Sequence, residues 1–210
     1  MQIVVNKTSL VIAGSWNPAI LNPSWIGKTV LNFEKDHEFE VLVEMGIAPL
    51  NFQKYTFFDI SYTASPQYLI FYIDHLNAEC VSKTIAAAKS ILNVLSHTPV
   101  TGVGFNFEFL LNEQKDEFLN LFNQVDALNN VLNEMAVVSK LWGNTITADN
   151  ELITVQCILE GAVGKITVNQ HHALENATDA ANYLQDGIFQ ASLKRVVAIA
   201  SVLSADNLEE

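Results

Sequence analysis

Positive charge is scarce in this chain. Lys and Arg together number 11 against 23 Asp and Glu, for a formal net charge of -12. Binding nucleic acid requires cations that replace phosphate counterions. The densest basic group is the pair Lys194-Arg195, set in an apolar segment. No nucleic-acid partner is expected, and the same shortage argues against docking on an anionic membrane.

Long apolar runs are missing too. A membrane-spanning helix needs about 18 apolar residues in succession. The best stretches here are Tyr68 to Ile73 and Val196 to Leu203, the latter interrupted by Ser201. The opening residues, Met1 to Lys7, lack the basic start and small-residue cleavage site of a secretory leader. The expected location is cytoplasmic. Cysteine occurs twice, at Cys80 and Cys157, without the C-x-x-C spacing of zinc or redox centres. Both lie in apolar patterns and are expected to be buried free thiols.

Motifs for nucleotides and acyl transfer are equally thin. Gly27-Lys28-Thr29 resembles the end of a phosphate-binding loop, but Asn22 stands where that loop needs its first glycine. Gly102-Val103-Gly104 lies within a strand pattern, where glycine permits close approach. No G-x-S-x-G elbow occurs. No cofactor and no metal are expected, and the sequence assembles no catalytic set.

What is abundant is apolar surface. Half of the residues are hydrophobic and 16% are charged, where soluble proteins average roughly 25% charged. Such a chain has ample surface to bury against its ordering entropy. The surplus must enter a large core, an interface or a pocket.

Periodicity sets the expected elements. Residues 2–13 read as a strand and 25–31 as a short helix capped by Ser24. Residues 38–47 alternate as a half-buried strand. Residues 55–62 and 67–73 read as a hairpin around Ala64-Ser65-Pro66. Asn77 caps a helix that runs to about Ser96. Residues 100–111 form the clearest strand, with Val103, Phe105, Phe107 and Phe109 on one face. A short helix follows near 115–124. Strands at 135–142 and 151–159 flank a loop at Gly143-Asn144, and 165–170 is a strand after a turn. A long helix closes the chain from Thr178 to Leu203.

This order predicts an α+β fold, an antiparallel sheet with a mid-chain helix and a long C-terminal helix on one face. One domain over 1–210 is expected, with the option of a β-rich lobe at 1–66 and a second lobe at 67–210. The order from 67 onward is similar to that of helix-grip and TATA-binding-protein-like proteins. The likeness is one of element order and implies no function.

Several polar groups invite a chemical reading. His171-His172 precedes the final helix, but neighbours in an extended chain point to opposite faces and chelate poorly together. Asp74-His75 has no nucleophile near it in sequence. The segment from Ser15 to Trp25 holds two tryptophans and two Asn-Pro steps. Trp16, Asn17 and Trp25 form a candidate recognition surface; the more ordinary reading is that both rings cap the core.

Three functions follow in order. The first is a soluble, non-enzymatic interaction protein that self-associates, as a dimer, with an unidentified protein partner also open. Phe189, Val196 and Val202 on the final helix are its candidate interface, because they spread over more than one helix face. The second is a small-molecule carrier or sensor with an apolar pocket between sheet and C-terminal helix, lined by Glu108, Asn106 and Tyr183. The third is an enzyme.

Overall fold

A computed structural model describes residues 1–33, 40–45, 53–123, 138–206 and 208. Its centre is β7 (Val100–Leu110), where alternation puts Val103, Phe105, Phe107 and Phe109 on one buried face. β2 (Ser9–Gly14) pairs with β7 on one side. β10 (Val163–Ala173) pairs with it on the other. Beyond β2 lie β6 (Tyr68–Tyr72), β5 (Ile60–Ala64), β4 (Gln53–Phe57) and β3 (Leu42–Met45). Beyond β10 lie β9 (Glu151–Glu160) and β8 (Ser139–Ala148). A two-residue β1 (Gln2–Ile3) joins the far end of β7. Every described pairing is antiparallel.

The elements come in two similar series. β2 is followed by α1 (Pro23–Thr29), the meander β3 to β6, and α2 (Ala78–Val94). β7 is followed by α3 (Asp116–Asn120), the meander β8 to β10, and α4 (Ala177–Tyr183) with α5 (Ile188–Ser204). The leading strands of the two series, β2 and β7, pair at the middle of the sheet. Each series therefore spreads outward from the centre. Ser65-Pro66, at the suggested lobe boundary, is the turn between the adjacent strands β5 and β6.

The helices share one face. Phe189 of α5 packs edge-on against Phe105 and tilted against Phe107, with ring centroids 5.6 Å apart in both pairs. α2 lies on β5 and α4, and α3 lies on α5. The sheet, the mid-chain helix and the C-terminal helix thus match the α+β expectation. The finer helix-grip or TATA-binding-protein-like order is not established by this layout.

Local differences have local causes. The first strand is broken by a 3-10 turn at Val5–Lys7. α1 begins at Pro23 and not after Ser24, because Asn22 accepts from Trp25 N–H and proline suits the first helical position. β4 and β5 form their own tight hairpin, with Phe58 and Asp59 both at positive φ, so 55–62 is not one strand. β3 is exposed throughout its four residues rather than half-buried; the rest of 38–47 lies largely outside the described residues. β8 runs straight through Gly143-Asn144, and the turn falls at Asp149-Asn150.

The long C-terminal helix is two helices. α4 is capped by Asn176, whose side chain accepts from Asp179 N–H. Gly187, in the left-handed region at φ 81°, starts α5 after a bend of 72°. Running one periodicity through that bend misplaces the buried stripe. The residues of α5 that face the sheet are Phe189, Ser192, Val196, Ala200 and Ser204, while Ala191 is exposed.

Candidate interaction surface

Paired residues in an antiparallel sheet lie on the same face, and successive residues alternate. Following the registers from Phe105 and Phe107 assigns the helix-bearing face. The residues between them belong to the opposite face, which carries no helix among the described residues. A polar row crosses that bare face. Thr56, Ser61, Tyr72, Ser9, Asn106, Asn169, Thr154 and Thr145 stand opposite one another, one from each strand between β4 and β8.

Hydrogen bonds link much of the row. Thr56 Oγ1 and Ser61 Oγ lie 2.8 Å apart. Asn106 Nδ2 donates to Ser9 Oγ at 3.1 Å, and Asn169 Nδ2 donates to Asn106 Oδ1. Thr145 and Thr154 hydroxyls are 3.4 Å apart. The Lys54 ammonium sits 4.8 Å above the Tyr72 ring and 3.7 Å from Asp74, which also accepts from Ser61. Asp74 is thus engaged on this face, while His75 is exposed.

The apolar surplus is exposed at the sheet's two outer edges. Leu42, Val43 and Met45 stand out on β3, and Val138, Leu141 and Ile146 on or beside β8. β8 is the longer edge. Its ten residues, Ser139–Ala148, include one charge, Lys140, and no proline. Leu141 is 60% exposed and Ile146 55%. Natural edge strands are usually blunted by charges, proline or bulges, and β8 has little of this.

The residues singled out in the sequence fall as follows. Trp16 is a core residue at 5% exposure, its Nε1 donating to the Ile12 carbonyl at 3.1 Å. Trp25 is half-buried against the same core, and Asn17 is exposed with Oδ1 accepting from Ala19 N–H. The three do not form one outward surface. Phe189 and Val196 are fully buried inside the chain. That corrects their assignment to an outer interface and leaves only Val202, 80% exposed, outside. Glu108 and Asn106 lie on the bare face and Tyr183 on the helix side, so they cannot line one pocket. The space between β7 and α5 is filled by phenylalanine rings.

His171 and His172 do point opposite ways. The His171 ring covers Gly102 on the bare face, where a Cβ would collide with it. Burial, then the charge of His172, holds the His171 pKa below its ordinary value. His172 stacks on Tyr183 across the helix side. Gly27 and Lys28 belong to the body of α1 and not to a loop. Among the described residues no three His, Cys, Asp or Glu converge as a metal site, and no single helix is long and apolar enough to cross a membrane.

The edge strand escaped the sequence reading because Gly143-Asn144 resembles a turn. The signal against that reading was the lack of proline and the β-branched run Thr145-Ile146-Thr147 directly after the pair. No known family model matches the chain, and no curated protein is significantly similar to it.

Proposed function

We propose that this is a non-enzymatic interaction protein that pairs with a second copy of itself along the outer edge of β8. One observation carries the reading: a ten-residue edge with exposed Leu141 and Ile146, to which nothing else among the described residues pairs. An edge of this kind offers free backbone donors and acceptors to another strand. Its sequence is also self-complementary. A twofold axis through Asn144 sets Trp142 opposite the partner's Ile146 twice over, and Leu141 opposite the partner's Thr147. Aromatic pairs with β-branched residues are favourable across strands, at about 0.2–1 kcal/mol each. Two buried, unpaired thiols suit a reducing, cytoplasmic setting.

Sedimentation across the micromolar range tests this. The wild type is expected as a dimer, and Ile146→Lys as a folded monomer. A wild type that sediments as a monomer, or an Ile146→Lys variant that stays dimeric, would end the proposal.

A further inference from the structure

One polar residue interrupts the apolar outer row on the helix side of β8. The row that begins at Phe107 runs through Val168 and Val155, all three buried, and ends on Asn144. Trp142 and Ile146 flank Asn144 on the same side, paired with Cys157 and Ile153 of β9. Asn144 is exposed, and among the described residues no hydrogen bond holds its side-chain amide. A break in a local pattern of this kind is expected where function requires it.

The backbone of the edge restricts how a second copy can pair with it. The Asn150 carbonyl accepts from Ala173 N–H of β10, so even residues along β9 turn their backbone groups to β10 and odd ones, Val155 among them, turn to β8. Asn144, the partner of Val155, therefore bonds inward. Leu141, Gly143, Thr145 and Thr147 turn their N–H and C=O groups outward. An antiparallel copy must bond to these odd residues. Two such registers overlap nearly the whole strand. With the twofold axis at Gly143, Trp142 faces the partner's Asn144 and Lys140 faces the partner's Ile146, an apolar side chain against a polar one in each case. With the axis at Asn144, Trp142 faces the partner's Ile146 and Asn144 faces its own copy. That self-pair is of the close kind, with Cα atoms about 4.5 Å apart. A primary amide carries both donors and an acceptor, so two of them related by a twofold axis bond reciprocally.

We propose that Asn144 selects the register and the partner of this pairing: its amide meets that of the partner's Asn144 across the axis, with a Trp142–Ile146 pair closing over it on each side. This role rests on the pairing of β8 edges proposed above. In the other register, or against a foreign strand with an apolar residue at this point, the amide is covered and left without a partner, which is penalised. A single asparagine fixes register in coiled coils by the same physics.

Charge complementation in sedimentation experiments tests the role. Asn144 is exposed in the single chain, so Asn144→Asp and Asn144→Lys are expected to fold, which circular dichroism checks. Each variant alone sets two like charges face to face and should weaken the dimer at least about tenfold. Mixed in equal amounts, the two set opposite charges face to face and should recover most of the wild-type affinity. Thr145 faces the partner's Gly143 and not its own copy, so Thr145→Asp and Thr145→Lys should gain less on mixing. Asn144→Cys should also oxidise to a linked dimer, since facing residues of the close kind lie within disulfide reach, while Cys80 and Cys157 are buried. If the wild type is a dimer that Ile146→Lys dissociates, but the Asn144 variants pair alone as well as wild type, or their mixture pairs no better than either alone, the role of Asn144 is overturned and the edge pairing stands. Recovery on mixing at Thr145 but not at Asn144 would move the axis and overturn it as well. A monomeric wild type would overturn both proposals.

Discussion

Arg195 Nη1 donates to both carboxylate oxygens of Glu151 at 2.5 Å, tying the C-terminal helix to the first residue of β9. Gln170 Nε2 approaches the same carboxylate from within the sheet. Burial pushes the Glu151 carboxyl up, but the bonds from Gln170 and Arg195, with the charges of Arg195 and His172, outweigh it. The net result lies below the ordinary value. A depressed carboxylate contributes stability that is complete above its unfolded value, about 4.3, and is lost as pH falls through the lower folded value.

The guanidinium is about half exposed, so solvent limits its share to about 1 kcal/mol or less. Glu151→Gln should therefore be less stable than wild type near neutrality by about that amount, with the gap closing in acid. Urea unfolding of both proteins at several pH values measures it. A gap that stays constant down to the acid range would show that Glu151 is not depressed by these partners.

Trp16 and Trp25 separate by burial. Trp16 fills the core and satisfies the Ile12 carbonyl, whereas Trp25 is only half-buried. Trp16→Ala should cost about 3–5 kcal/mol, the range for a large buried aromatic. Trp25→Ala should cost nearer the average substitution, about 1 kcal/mol. Denaturant midpoints at unchanged slope report both. A Trp16→Ala variant of wild-type stability would return Trp16 to the surface.

How far the sequence disclosed this fold can be argued from three places. β7 was legible because Val103, Phe105, Phe107 and Phe109 alternate with small or polar residues, and a buried face enforces that period. α2 was legible because its cap Asn77 and its stripe Val81, Ile85, Ala88 and Leu92 agree. The bend at Gly187 was not, since the helical period on either side is strong and one glycine is tolerated within many helices. The hairpin at Phe58-Asp59 was hidden for a related reason. Its first positive φ is held by Phe58, a residue that seldom signals such a turn. The polar cluster around Glu151 needed three dimensions. Glu151, Gln170 and Arg195 meet only because β9, β10 and α5 come together.

Both thiols should be slow to react. Cys157 is fully buried, and burial pushes its pKa up to about 12, so it stays protonated at neutral pH. Cys80 is almost fully buried in α2. The thiolate is the reactive form. A disulfide reagent is therefore expected to label neither residue in the native protein within the time that it labels the urea-unfolded chain. Prompt native labelling of Cys157 would show that its surroundings open readily.

Val196 and Val202 stand six residues apart on α5 and face opposite environments. Val196 is fully buried with Phe189 and Ala200, whereas Val202 is 80% exposed. A lysine at 196 would place an ammonium among apolar side chains with no partner, an arrangement that costs several kcal/mol. Val196→Lys should therefore fail to fold or melt far below wild type. A lysine at 202 would extend into water, and surface changes of this kind stay within about 0.5 kcal/mol. Val202→Lys should accordingly keep the wild-type melt. It should also keep the wild-type sedimentation, because the proposed pairing runs along β8 and does not involve α5. The two variants distinguish the surfaces. If Val202→Lys dissociated a dimer while Ile146→Lys did not, the contact between copies would lie on the helix side, and Val202 would mark its centre.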